Sequence, residues 1–164
     1  MNSTAGIHIY YCRNASQGRE FPLVLTELSL RSDVELEAVP CSGKIDARYL
    51  LKAFESGASA VCVLTCPTGH CKRLQGNLRA GRRVSAVRQF ITEAGLDPSA
   101  LQIFLPDSPE VASLEAVADD IAEFVDGTSQ HISFLPDSLE VEDTSDDVAE
   151  LVSSSSNSGR KVPV

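Results

Sequence analysis

No apolar run in this 164-residue chain approaches the roughly 20 residues that a membrane-spanning helix needs; the longest lie near Ile7–Tyr11 and Ala60–Leu64. The opening MNSTAGIHIYYC has no basic leader, apolar stretch and small-residue cleavage site in series, so no secretory signal is read there. These absences predict a soluble cytoplasmic protein. No C-x-x-C pair is present, which weakens a thioredoxin-type redox motif and the usual zinc ribbon alike. Neither GxGxxG nor a Walker loop occurs, so a nucleotide lacks its phosphate cradle. A thiol phosphatase needs C-x5-R, but Cys12 with Arg19 and Cys66 with Arg73 are each one residue too far apart. With only three histidines, no Ser/His/Asp constellation can be assembled.

Basic residues are also absent from positions 107–150, which hold 14 Asp and Glu and no Lys or Arg. Residues 1–106, in contrast, carry 12 Lys and Arg against 9 Asp and Glu. Phosphates would be repelled by that acidic third, which argues against nucleic acid as the partner of the whole chain. One basic stretch stands out, Lys72, Arg73, Arg79, Arg82, Arg83 and Arg88. It is either a solvated helix face or a docking face for an acidic protein.

What the chain does hold is a core: 43% of its residues are hydrophobic. Strand and helix patterns alternate. Strands are expected at Ile7–Tyr11, Val34–Val39, Ala60–Thr65 and Ala100–Leu105. Helices are expected weakly over Arg19–Leu30 and more clearly over Ala47–Ser56, behind an Asp46 cap. A long helix runs to about Ala94, with Leu78, Val84, Val87, Phe90 and Ile91 as its apolar stripe and Gly76 or Asn77 as its cap. The last spans Glu110–Val125, with Val111, Leu114, Val117, Ile121, Phe124 and Val125 facing inward. Continuous apolar strands separated by helices imply an α/β fold: a small open parallel four-stranded sheet with helices on both faces. After Gly127 the composition turns acidic and then Ser-rich, and FLPDS-x-EV occurs twice, at Phe104–Val111 and Phe134–Val141. This divides the chain into a domain at 1–127 and an extension at 128–164, expected to be flexible or ordered only by a partner.

The five cysteines carry the functional signal. Cys12 follows the first strand, Cys41 the second and Cys66 the third, with Cys71 in the same loop as Cys66. In an open parallel sheet those strand ends share the carboxyl edge, where ligands bind. Four thiols from three loops converging there point to an iron–sulfur cluster or to structural zinc. A dithiol couple of Cys66 and Cys71 is a third reading. Cys62, inside the third strand, is read as a small buried hydrophobe. His8 is read as a core histidine, and His70 as a neighbour of the site or simply exposed. Nothing is assigned to His131.

Several segments resemble the delta subunit of methyl-viologen-reducing hydrogenase, a family of small iron–sulfur electron-transfer proteins. They are Cys12-Arg-Asn14, Pro40-Cys-Ser-Gly-Lys-Ile-Asp46, Leu51-Lys-Ala-Phe54 with Gly57-Ala58, Cys66 through Cys71, and Gly76-Asn-Leu-Arg-Ala80 followed by Arg82-Arg-Val84. The resemblance spans roughly residues 6–126. It implies one [2Fe–2S] cluster on Cys12, Cys41, Cys66 and Cys71. It also implies a place in a hetero-oligomeric complex. There the protein would relay electrons between a heterodisulfide reductase A-like flavoprotein and an oxidoreductase module of hydrogenase, formate dehydrogenase or benzoyl-CoA reductase type. The family often has a histidine after the third cysteine and an acid before the fourth, where this chain has Pro67 and His70. Removing that negative charge should raise the cluster potential.

Overall fold

The computed structural model describes residues 6–17 and 22–132. Four strands form one sheet: β1 (Ile7–Cys12), β2 (Val34–Val39), β3 (Ala60–Leu64) and β4 (Leu101–Phe104). Their order is β2-β1-β3-β4, and every neighbouring pair is parallel. The expected α/β sheet is therefore present. The register sets Ile9 of β1 between Leu36 of β2 and Cys62 of β3.

Four helices cover it: α1 (Leu23–Leu28), α2 (Ala47–Glu55), α3 (Gly76–Glu93) and α4 (Val111–Ile132). One face packs against α1 and α4. There Ile7, Ile9, Cys62 and Leu64 meet Leu25, Leu28, Ala118, Ile121 and Val125. The opposite face packs against α2 and α3, where Tyr10, Val61, Val63 and Leu101 meet Leu50, Ala53, Val84, Val87 and Ile91. β3 is buried along its whole length, which explains its unbroken apolar run, Ala-Val-Cys-Val-Leu. Cys62 is part of that core, as its sequence position implied, and burial pushes its thiol pKa up.

The helices differ from expectation in instructive ways. α1 is only six residues long and starts behind Pro22. Asp46 caps α2 by accepting from the Arg48 N–H at 3.4 Å. In α3, Val84, Val87 and Ile91 turn inward, but Leu78 and Phe90 are 45% and 55% exposed. The small Ala80 takes the inward place instead, near the helix start that packs against the turn following Cys41. In α4, Leu114, Ile121 and Val125 are buried as expected, whereas Val111 is exposed and Val117 and Phe124 are half-buried at the margin. The helix also continues through Gly127 to Ile132. Arg31 secures that last part by bonding Asp126 at 2.5 Å and the Ser129 hydroxyl at 3.0 Å. The second FLPDS segment and the rest of the extension, from residue 133 on, lie outside the described residues. Among the described residues, no helix is long and apolar enough to cross a membrane.

Candidate metal centre

Strand β1 returns through α1 to β2 on one side and lies beside β3 on the other, so the chain reverses direction across the sheet between β1 and β3. The crevice at the carboxyl ends of such a pair is where open α/β sheets bind ligands. Cys12 is the last residue of β1, and Cys66 comes two residues after the end of β3. Both are buried, as is Cys41, which follows β2 and Pro40. Cys71 is half-buried and forms the side of the site nearest the surface.

The four thiols form a chain of interactions. Cys66 donates to Cys12 and holds the Cys12 pKa down to about 6, helped by the backbone N–H groups of Asn14 and Ser42 against the opposing effect of burial. The same bond, with burial second, pushes Cys66 up. Cys66 also reaches Cys71, and Cys71 reaches Cys41. Burial acts on Cys71 in the upward direction, but the N–H groups of Arg73, Asn77 and Gly76 and the Cys66 thiol outweigh it and pull its pKa down. Burial dominates at Cys41 and raises it, although the Gly43 N–H works the other way. The predicted convergence of thiols is thus seen as contacts linking Cys12, Cys66, Cys71 and Cys41. Among the described residues, no group of three or more His, Cys, Asp or Glu side chains is spaced to hold a single metal ion.

Backbone features that sequence reasoning missed shape the site. Gly76 begins α3, and its N–H donates to Cys71 Sγ at 3.1 Å. A Cβ on Gly76 would lie 2.5 Å from Cys41 Sγ and 3.1 Å from Cys71 Sγ. A Cβ on Gly43 would lie 2.5 Å from Gly76 Cα. Two glycines therefore let the start of α3 press directly against the 3-10 turn Ser42–Lys44 that follows Cys41. Arg83 fastens this contact by donating to the carbonyls of Gly43 at 2.6 Å and Ile45 at 2.8 Å.

Gly76 and Asn77 are accordingly not the cap of α3, since Gln75 holds that position in a left-handed conformation. Asn77 is buried within the first turn, and its amide donates to the carbonyls of Cys66 and Pro67, both at 3.2 Å. It pins the cysteine loop to the helix. His70 is exposed, and its carbonyl accepts from Gln17 Nε2 at 3.3 Å. His8 lies away from the site, on the α2 side of the sheet, stacked on Tyr10 and next to Glu35 and Glu37. The basic stretch divides in two: Arg83 is used as above, and Arg88 binds the Leu101 carbonyl and Gln102, leaving Lys72, Arg73, Arg79 and Arg82 on the surface.

The donor set suits a thiolate-bound metal group. Four cysteines complete the ligand set of an iron–sulfur cluster. The glycine pair lets the backbone approach the sulfurs of Cys41 and Cys71 more closely than any side chain would permit. Among the described residues, Ser42 Oγ is the one buried side-chain polar atom without a hydrogen-bond partner. It sits in the turn whose N–H groups serve the sulfurs of Cys12 and Cys41, where a sulfur acceptor from a bound group would satisfy it.

Residues 7–127 match the family described as methyl-viologen-reducing hydrogenase, delta subunit. The chain is 32% identical over 92 residues to the D-type iron-sulfur subunit of the vhu F420-non-reducing hydrogenase of Methanopyrus kandleri, covering 56% of this chain and 70% of that one. It is 29% identical to the protein of the same name in Methanococcus maripaludis, over 69% of this chain and 85% of that one. It is also 28% identical to a segment of the A-type component of the ferredoxin:CoB-CoM heterodisulfide reductase of Methanosarcina mazei, covering 62% of this chain but only 12% of that much longer one.

Proposed function

Because the chain belongs to the methyl-viologen-reducing hydrogenase delta-subunit family, we propose that it is an electron-transfer subunit holding one [2Fe–2S] cluster on Cys12, Cys41, Cys66 and Cys71. It works within a hetero-oligomeric oxidoreductase complex. It relays electrons between a hydrogenase, formate dehydrogenase or benzoyl-CoA reductase type of module and a heterodisulfide reductase A-like flavoprotein. The observation that carries this reading is the chain of contacts among four thiols from three strand-end loops. The relatives support it further. The matched hydrogenase proteins are named iron-sulfur subunits, and in Methanosarcina mazei the matching segment is a small part of a heterodisulfide reductase component.

When bound, the cluster supplies one-electron redox chemistry. The protein's own contribution is electrostatic and steric. The N–H groups of Asn14 and Ser42 serve Cys12, that of Gly43 serves Cys41, and that of Gly76 serves Cys71. Such donors offset negative charge on sulfur and so favour the reduced state. Burial of Cys12, Cys41 and Cys66 excludes water, while half-buried Cys71 brings one edge of the site close to a docked partner. His70 adds no negative charge beside that edge.

The test is a cysteine scan of anaerobically reconstituted protein. Ser at position 12, 41, 66 or 71 should each lower iron content and bleach the visible spectrum, whereas Cys62→Ala should load like the wild type. A dithiol enzyme would instead depend on Cys66 and Cys71 alone and bind no iron. A zinc scaffold would remain colourless with one zinc.

A further inference from the structure

The surface around Cys71 has a composition that the electron-relay reading does not by itself explain. Between Cys71 and α3, Leu74 and Gln75 are consecutive non-glycine residues with φ of +47° and +57°. L-residues adopt this left-handed conformation at an energetic cost, and a run of two is uncommon. The turn is fixed in place, because Arg79 Nη2 donates to the Leu74 carbonyl at 2.9 Å. Its consequence is to hold the Leu74 side chain outward, 81% exposed, with Leu78 of α3 also exposed nearby in sequence.

Beside Leu74 is a recess of about 360 Å³, walled on the inside by Cys41 and Gly76 and on the outside by Lys44, Lys72, Arg73 and Arg79. None of these four cations is in an ion pair among the described residues. In a chain of net charge −9, four cations around one exposed leucine form a concentrated positive patch. A purely solvated face would need neither the strained turn nor the leucine.

We infer that this patch is the docking surface for a protein partner that presents Asp and Glu side chains around an apolar socket for Leu74. Resting on the electron-relay reading, it places that partner against the Cys71 edge of the site. Leu74 is the buried anchor and the four cations are the rim that steers and orients the encounter. A nucleic acid would use the cations but would gain little from Leu74.

The complex should be isolated anaerobically from the cells that make it, through a tag on the full chain, and treated with a zero-length carbodiimide that joins lysines to carboxylates. The chain has four lysines, Lys44, Lys52, Lys72 and Lys161, so the map is simple. Cross-links from Lys44 and Lys72 to Asp or Glu of the partner are expected. Leu74→Ala, and Lys44→Glu with Lys72→Glu, should each weaken the affinity for the purified partner about tenfold or more, with iron content and visible spectrum unchanged. The loss in the charge variant should shrink as salt rises. Cross-links confined to Lys52 or Lys161, wild-type affinity in Leu74→Ala, or a chain that isolates alone would each overturn the docking surface. Iron bound by the full chain reconstituted anaerobically apart from its partner keeps the two readings apart. A chain that binds no iron, with Lys44 and Lys72 cross-linked in the complex, sinks the relay and retains the dock, while an iron-binding chain cross-linked elsewhere does the reverse.

Discussion

Replacing Gly76 with alanine adds one methyl group where the structure leaves no space for it. The new Cβ would lie 2.5 Å from Cys41 Sγ and 3.1 Å from Cys71 Sγ, while the Gly43 N, at 3.5 Å, would be in ordinary contact. Overpacking of this kind typically costs about 1–3 kcal/mol. Alanine also favours a helix over glycine by about 0.5–1 kcal/mol, which partly offsets the clash. Gly81, in the same helix, provides the control, because a Cβ there meets nothing within 4 Å. The propensity gain is at least as large at interior Gly81 as at Gly76, the first residue of α3. Gly81→Ala should therefore be more stable than Gly76→Ala by at least the cost of the clash, about 1–3 kcal/mol. Denaturant unfolding of the metal-free proteins measures this difference. Iron content after reconstitution reports on the site: Gly81→Ala should load normally, and Gly76→Ala should load poorly, because two of its thiols are displaced. If Gly76→Ala were as stable as Gly81→Ala and loaded iron with an unchanged spectrum, the close approach of α3 to the cysteines would be wrong.

Three further outcomes follow from named contacts. Asn77→Ala leaves the carbonyls of Cys66 and Pro67 without their shared donor and should cost about 1–3 kcal/mol by denaturation, with cluster loss on mild heating. Ser42→Ala removes a buried hydroxyl that lacks a partner, so the metal-free protein should unfold at higher denaturant, while the loaded protein should show a lower midpoint in redox titration. Asp33 is held near pKa 2 by its bonds to Arg31, below the roughly 3.9 of an unfolded chain. Its contribution to stability is therefore present above about pH 4 and lost as pH falls toward 2. Since the pair is partly exposed, Asp33→Asn should cost only about 0.2–1 kcal/mol at pH 7, and the gap between variant and wild type should close in acid denaturation curves below pH 2.

Much of the architecture was legible because the periodicities are strong. β3 reads as a continuous apolar run since both faces are covered, and Asp46 and Gly57 bracket α2 by their capping chemistry. Placing Cys12, Cys41 and Cys66 at three strand ends needed only the strand boundaries and the rule that parallel strands share a carboxyl edge. The fine structure of the site was less accessible. The approach of Gly43 to Gly76 and the bonds from Arg83 to Gly43 and Ile45 join segments far apart in the chain, and local pattern carries no signal for such pairs. Asn77 looked like a cap because Asn favours caps, yet tertiary demand from the Cys66–Pro67 carbonyls placed it inside the helix. Leu78 and Phe90 fit a helical stripe but face outward, since Ala80, Val84, Val87 and Ile91 already fill the inward arc.

The central claim is that the four linked thiols hold an iron–sulfur cluster, and metal analysis of the anaerobically prepared full chain tests it most directly. The account predicts about two irons per chain, a brown visible spectrum, and an EPR signal that appears on reduction with dithionite. A colourless protein that takes up one zinc, and still takes no iron on anaerobic reconstitution, would contradict it.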